Sequence, residues 1–135
     1  MLNMLKKDRF YIKEAVMVAV NYLNTQKNIV KFKAGDVIFK KGEQGDAVYG
    51  VLEGRVQVVY NDLVIDTLEA GGIVGEEVML GKKAYGITAI AVTDVTLSVM
   101  NRQQFLWLVQ QTPTFATQLM RDMTERVEKV AKLVE

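Results

Sequence analysis

The sequence predicts a mainly β domain of the sandwich, barrel or jelly-roll type, with helices at both ends. Apolar residues recur at helical spacing only towards the two termini. In between, from about residue 28 to residue 100, they alternate or form short runs separated by glycines, which is typical of seven or eight short strands. The chain has 135 residues, half of them apolar, and this length suits one domain with a modest core.

The N-terminal segment, residues 1–27, is predicted to contain a helix. Apolar residues follow one helical face between residues 9 and 24. They are Ile12, Ala15, Val16, Ala19, Val20 and Leu23. The longest apolar run, residues 15–20, is far shorter than the ~20 residues that span a bilayer. The segment also lacks the cleavage site of a signal peptide. We therefore expect no membrane partner and a cytoplasmic location.

The middle of the chain is predicted to be connected by tight turns. Glu53-Gly54 and Asn61-Asp62 are interpreted as two hairpin turns, because Gly and Asn tolerate positive φ angles. Thr93-Asp94 separates the last two strands of the region, "ITAIA" and "VTLSVMN". Residues 28–100 are accordingly predicted to form the β part of the domain.

Residues 101–135 return to helical spacing. Asn101 precedes Gln104 by three positions, which resembles a capping box at the start of a first helix. Pro113 is the only proline of the chain, and proline is favoured at the first position of a helix. A second, longer helix is therefore predicted to begin there.

The last helix has a second pattern, an apolar seam with alternating spacings of three and four residues. The seam consists of Met120, Met123, Val127, Val130 and Val134. Such spacing is typical of a short coiled coil. Asp122 and Arg126 form one of several acid-first i,i+4 pairs on the same helix. The seam could pack on the chain's own domain, but it continues almost to residue 135, so we expect a homodimer through this helix.

The order of the glycines adds a family resemblance. "FKAGDVIFKKGEQGDAVYGVLEGRVQVV" and "LEAGGIVGEEVML" resemble the cyclic-nucleotide-binding domains of catabolite activator proteins, kinase regulatory subunits and nucleotide-gated channels. "FLWLVQQTPTFATQLMRDMTERV" resembles the B and C helices of that family, with a proline between them. The resemblance covers about residues 28–130. It implies a double-stranded β-helix, or β-roll, with an N-terminal helix and two C-terminal helices.

The resemblance also implies a phosphate-binding cassette within residues 71–91. The family's Gly-Glu pair falls on Gly75 and Glu76, which implies that Glu76 accepts a hydrogen bond from a ribose hydroxyl. Backbone N–H groups at the start of a short helix would meet the cyclic phosphate. The candidate ligand-binding residues implied in this way are Gly75, Glu76, Glu77, Val78, Tyr85 and Gly86.

The cassette-like segment departs from the family at its charged positions. Glu77 replaces an apolar residue, and Val78 replaces a small one. The position of the phosphate-clamping arginine falls on Tyr85, and Gly86 follows where Ala or Ser is usual. Losing one charged hydrogen bond weakens binding by about 10- to 100-fold. We therefore expect weak cyclic nucleotide binding or none.

Several of these residues have alternative interpretations. Glu76 either binds a ribose hydroxyl or accepts local backbone N–H groups. Glu77 is expected to be a solvated or capping charge, and the ring of Tyr85 is expected to fill the space of the phosphate. A true cyclic nucleotide sensor would instead use Lys82 or Lys83 for the phosphate, although such a pair is most often a solvated turn.

Composition excludes several other functions. The chain has neither histidine nor cysteine, which removes Ser-His-Asp triads and most transition-metal sites. A jelly-roll enzyme would have to rely on carboxylate, tyrosine or lysine chemistry, so no enzymatic activity and no cofactor are expected. The net charge of +1 and the lack of a recognition helix argue against nucleic acid. We expect a regulatory or interaction module that acts on another protein chain.

Overall fold

A computed structural model describes residues 28–133. The helix predicted within residues 1–27 and the last seam residue, Val134, lie outside this range. The described chain forms eight strands, one short 3₁₀ helix (Glu76–Leu80) and two α-helices. The strands are β1 (Ile29–Phe32), β2 (Val37–Phe39), β3 (Val48–Glu53), β4 (Val56–Tyr60), β5 (Leu63–Leu68), β6 (Ile73–Val74), β7 (Thr88–Ala91) and β8 (Val95–Met100). The helices are α1 (Arg102–Gln111) and α2 (Pro113–Lys132).

The strands form two four-stranded antiparallel sheets, with the orders β1-β8-β3-β6 and β2-β7-β4-β5. Most connections carry the chain from one sheet to the other, and only β4 and β5 are sequential neighbours within a sheet. This alternation is the topology of a β-roll. The predicted fold class, a mainly β jelly roll with C-terminal helices, is therefore confirmed.

One of the two predicted hairpins is wrong. Asn61-Asp62 does connect the hairpin of β4 and β5, with φ angles of 48° and 68°. Glu53-Gly54, in contrast, leads from β3 in one sheet to β4 in the other. Gly54 has a φ of 88°, and a Cβ there would overlap the carbonyl of Asp94. Gly54 does have the positive φ that the sequence predicts. The turn, however, connects strands of different sheets, which the same residue types also permit.

The roll has an apolar interior to which both sheets contribute. Its buried residues are Phe39, Val51, Val56, Val58, Ile65, Leu68, Val74, Tyr85, Ala89, Ala91, Val95 and Leu97. A second apolar cluster joins the roll to the helices. It contains Val48, Ile73, Met79, Met100, Phe105, Leu108, Phe115 and Leu119. The two helices are therefore fixed to the roll by burial and do not project from it.

The ends of the helices follow the sequence signals. The side chain of Asn101 accepts from the amide of Gln104 at 2.9 Å, and the Gln104 side chain accepts from the amide of Asn101 at 2.9 Å. This confirms the predicted capping box. Pro113 begins α2, as predicted. Of the helices in residues 28–133, none combines the length and the apolar character that a bilayer crossing requires.

Candidate functional site

The cassette-like segment begins with a turn that requires glycine. Gly75 precedes the 3₁₀ helix Glu76–Leu80 and has a φ of 88°. A Cβ at Gly75 would lie 3.1 Å from the carbonyl oxygen of Ala47 and 3.2 Å from Cε1 of Tyr85. A side chain there would be both strained and crowded. Because Gly75 directly precedes Glu76 and Glu77, this turn sets the position from which their side chains extend.

Glu76 is buried and paired with an arginine from the last helix. Its side chain accepts a hydrogen bond at Oε1 from Nη1 of Arg126 at 2.8 Å. Glu76 is 4% exposed and Arg126 is 8% exposed. The other carboxylate oxygen, Oε2, is buried and accepts no hydrogen bond from the described residues. Glu76 therefore has one satisfied oxygen and one that is not.

Arg126 uses all three of its guanidinium nitrogens. Besides the bond to Glu76, its Nε donates to Oδ2 of Asp66 at 3.1 Å and its Nη2 donates to the carbonyl of Ile73 at 3.1 Å. The guanidinium thus connects α2 to β5, β6 and the start of the 3₁₀ helix. These inward bonds replace the predicted i,i+4 pair of Arg126 with Asp122.

Burial and the charge of the partner shift the pKa values of Glu76 and Arg126 in opposite directions. Burial raises the pKa of Glu76 above its ordinary value, although the charge of Arg126 acts in the other direction. For Arg126, burial would lower the pKa, but the carboxylates of Glu76 and Asp66 together raise it. The guanidinium is therefore held in its charged form, with its charge directed at these two carboxyl groups.

Glu77 bonds to a residue near the far end of the cassette. Its Oε1 accepts from the amide of Gly86 at 2.9 Å, nine residues further along the chain. A Cβ at Gly86 would approach Oε2 of Glu77 to 2.9 Å, so glycine leaves room for this carboxylate. Of the two expectations for Glu77, a solvated or a capping charge, the bond to a backbone amide agrees with the second.

Tyr85 is an interior residue. It is 5% exposed, and its ring stacks on Phe39 with centroids 3.9 Å apart. Its hydroxyl donates to the carbonyl of Ala47 at 2.8 Å. Burial, with a smaller contribution from Tyr49, raises the pKa of Tyr85 to about 12. Tyr85 is thus not a surface residue, and its ring packs beside Gly75.

The two lysines proposed as substitutes for the arginine lie elsewhere. Lys82 and Lys83 are exposed on the turn that follows the 3₁₀ helix. Lys83 borders a shallow surface depression together with Gln44 and Asp46. Val78 is half-buried and packs on both apolar clusters. None of these three candidates borders the main cavity of the site.

That cavity lies between the roll and α2 and has a volume of about 400 Å³. Its lining is Tyr60, Ile65, Gly75, Glu76, Glu77, Gly86, Ile87, Met123, Arg126, Val127, Val130 and Ala131. Four of the six residues named from the sequence therefore meet at one cavity. Three seam residues of α2 also border it, which the sequence did not indicate.

The structure divides the apolar seam of α2. Met123 and Val130 are half-buried and pack on the roll. Met120 and Val127 are 60% and 68% exposed. The inward face of α2 is instead centred on Phe115, Leu119 and Arg126, so the seam lies on one flank of that face.

Arg126 is the functional residue that sequence reasoning missed. Its signal was the helical spacing from Phe115 and Leu119, which places it on the inward face. Within residues 28–133, no group of His, Cys, Asp or Glu side chains is arranged to hold a metal ion. The chemistry of the cavity is thus that of an apolar chamber with one buried ion pair and one bonded carboxylate at its end.

Comparisons with known proteins agree with this geometry. The family model for the cyclic nucleotide-binding domain matches residues 29–112. A cyclic nucleotide-gated potassium channel of Rhizobium etli is 33% identical over 93 residues, which cover 69% of this chain and 26% of the channel. The chain thus spans about a quarter of that relative's length.

Two solved structures extend the likeness. The catabolite activator protein of Thermus thermophilus has a TM-score of 0.67 and 26% identity, over 90% of this chain and 57% of that one. The regulatory subunit of a cAMP-independent protein kinase A from Trypanosoma brucei has a TM-score of 0.63 and 28% identity, over 78% of this chain and 40% of that one. With its β-roll, its glycine-bounded cassette and a family match over more than half its length, the chain belongs to the cyclic nucleotide-binding domain family.

Proposed function

We propose that this chain is a regulatory or interaction module that binds cyclic AMP and cyclic GMP weakly or not at all and acts on another protein chain. The observation that carries the proposal is the bond between Glu77 and Gly86. A carboxylate of the protein itself already occupies an amide of the cassette, at 2.9 Å. A cyclic phosphate would have to displace this anion or lie beside it.

The charges around the cavity also oppose an anionic ligand. Asp66, Glu76 and Glu77 supply three carboxyl groups, and Arg126 supplies one guanidinium. That guanidinium is bonded through each of its nitrogens to protein acceptors. It would have to abandon a buried carboxyl group to clamp a phosphate, and leaving a buried charge unpaired is costly.

Tyr85 contributes a steric argument. Its buried ring lies against Gly75 and stacks on Phe39. The resemblance puts the clamping arginine at this position, so a packed aromatic ring stands where the family has a cation. By this resemblance, a cyclic phosphate would lack the arginine that clamps it and would meet an aromatic ring at that position.

The relatives support a regulatory role. They include a nucleotide-gated channel and a kinase regulatory subunit, in which this kind of domain acts on another part of an assembly. The trypanosomal subunit belongs to a cAMP-independent kinase, so similarity to this family is compatible with a pocket that does not use cyclic AMP. The cytoplasmic location, the homodimer and the absence of a cofactor and of enzymatic activity remain parts of this proposal.

The test is calorimetric titration of the protein with cyclic AMP and cyclic GMP. We expect dissociation constants of about 10–100 μM or weaker, because a micromolar site that loses one charged bond weakens about 10- to 100-fold. Low-micromolar affinity for either nucleotide would overturn the proposal. In that case Lys82→Ala and Lys83→Ala identify whether an exposed lysine supplies the missing charge.

A further inference from the structure

We propose that the cavity between the roll and α2 binds an uncharged, mainly apolar small molecule that donates one hydrogen bond to Glu76. This inference rests on the proposed function, because it assigns the cavity a ligand of a different class from a cyclic nucleotide. Three features of the cavity support it: the walls are apolar, one carboxylate oxygen of Glu76 has no hydrogen-bond partner within the described part of the chain, and the other charged groups are already bonded to protein atoms.

The walls of the cavity are mostly apolar. Ile65 and Ile87 of the roll face the α2 residues Met123 and Val130 across it. A volume of about 400 Å³ lies within the range of small-molecule sites, which are usually lined by apolar side chains with few polar groups. Such walls favour a ligand with a hydrophobic body.

One polar group in the lining is incomplete. Glu76 Oε2 is buried and accepts no hydrogen bond from residues 28–133, although Oε1 of the same carboxylate is bonded to Arg126. Buried polar atoms almost always have a partner. A hydroxyl or N–H group on a ligand would supply the missing donor without disturbing the ion pair.

The remaining charged groups explain why the ligand is uncharged. Glu77 and Arg126 are both bonded to protein partners, so neither is available to neutralise a charged ligand. An anion would meet the carboxyl groups of Glu76 and Glu77. A cation could reach Glu76 Oε2, but the charge of that carboxylate is already paired with Arg126, and the cation would have to leave water for a cavity with apolar walls.

Four matched probes test the ligand class, all built on the same methylated ring. They are p-cresol, 4-methylanisole, 4-methylbenzoate and 4-methylbenzylammonium. Titration followed by amide NMR should give saturable binding of p-cresol with a dissociation constant below ~1 mM, a plausible affinity for eight heavy atoms. The anisole, which lacks the donor, should bind about 10- to 100-fold more weakly. The charged probes should not bind.

A pair of tryptophan variants tests the place of binding. Ala131 and Lys129 are both exposed positions of α2, but only Ala131 borders the cavity. Ala131→Trp should fill the chamber and abolish p-cresol binding, and Lys129→Trp should leave it unchanged. Circular dichroism and unfolding curves establish that both variants are folded.

The outcomes separate this inference from the proposed function. Absence of p-cresol binding at 1 mM, equal binding of the anisole, or binding that survives in Ala131→Trp would each overturn the inference while leaving the proposed function intact. Low-micromolar binding of cyclic AMP or cyclic GMP to the same protein would overturn the proposed function and, with it, the assignment of an uncharged ligand.

Discussion

Nη1 of Arg126 lies 2.8 Å from Oε1 of Glu76, and this contact joins the last helix to the first residue of the cassette's short helix. Both side chains are nearly inaccessible to solvent, so the bond is strengthened by its surroundings and hard to exchange for water. A ligand that contacts Glu76 would therefore contact a residue that is hydrogen-bonded directly to α2. This pair connects the lining of the cavity to α2.

The first prediction concerns this pair. Arg126→Met should lower the free energy of unfolding by roughly 3–5 kcal/mol, because removing one partner leaves a buried carboxylate without compensation. Urea unfolding at pH 7 measures the loss. Lys129→Met is the matched control: it removes one positive charge from an exposed position of the same helix and should change stability by less than ~0.5 kcal/mol.

A second substitution distinguishes the cost of losing the hydrogen bond from the cost of leaving the carboxylate of Glu76 buried without a partner. Replacing a buried ion pair by apolar residues is often close to neutral. Glu76→Leu in the Arg126→Met background should therefore recover part of the stability, even though it removes a further polar group. If the two substitutions instead destabilise additively, the carboxylate was not stranded and the pair does not have the role assigned to it.

Much of the fold could be predicted from the sequence because its signals are local. Alternating apolar runs, turn glycines, the Asn101 capping box and Pro113 each act over a few residues, and the capping box and Pro113 lie where the sequence predicts them. The partner of a strand is not local. Glu53-Gly54 has the chemistry of a hairpin, yet the chain crosses to the second sheet there because β3 and β4 complete different sheets.

The site was predictable only in part, for the same reason. Glycine order located Gly75, Glu76 and the turn around them. The bond between Glu76 and Arg126 joins residues 50 positions apart; the spacing of Arg126 from Phe115 and Leu119 places it on the inward face of α2 but does not identify its partner. The i,i+4 rule paired Arg126 with Asp122, since that rule considers one helix alone. Only the packing of α2 on the roll turns that side chain inward.

The second prediction uses the pKa of Tyr85, which burial raises from 10.0 to about 12. The folded protein keeps the phenol protonated in a range where the unfolded chain loses its proton. The stability that this contributes is complete below pH 10 and is lost as the pH rises from about 10 towards 12. Tyr85→Phe removes the titrating group, so its unfolding free energy should decline less steeply over this range.

Urea unfolding at pH 7, 10 and 11.5 tests this expectation. The lysines titrate in both proteins, so the difference between the two curves is the relevant quantity. At pH 7, Tyr85→Phe should be less stable by about 1 kcal/mol, because the carbonyl of Ala47 loses its donor. Parallel curves for the two proteins between pH 10 and 11.5 would contradict a buried, protonated Tyr85.

The third prediction concerns the flank of α2. Met120 and Val127 present exposed apolar side chains there, and we expect two copies of the chain to cover them by pairing symmetrically. Val127→Glu should dissociate such a dimer, since the introduced charges would meet across a two-fold interface. Val64→Glu is the control, because it makes the same change at an exposed valine of β5. Light scattering at ~100 μM distinguishes the two; a monomeric mass for the unchanged protein would contradict the dimer.

The last prediction tests whether the cassette still has the geometry of its family beneath its altered charges. Gly75 keeps its left-handed turn and Glu76 keeps an oxygen without a partner, so a ribose hydroxyl would still find an acceptor. Tyr85→Arg introduces the missing cation, and Glu77→Leu frees the amide of Gly86. The double variant should bind cyclic AMP measurably, with most of the gain, about 10- to 100-fold, coming from the arginine.

Titration calorimetry of both single variants and the double variant measures these gains. Adding Glu76→Ala should weaken the acquired binding, because the ribose then loses its acceptor. Tyr85→Arg also gives up the stack on Phe39 and the bond to Ala47, so circular dichroism must show that the variant is folded. If a folded double variant has no affinity at millimolar cyclic AMP, the cassette has lost its geometry as well as its charge. The ring of Tyr85 would then be a permanent part of the core.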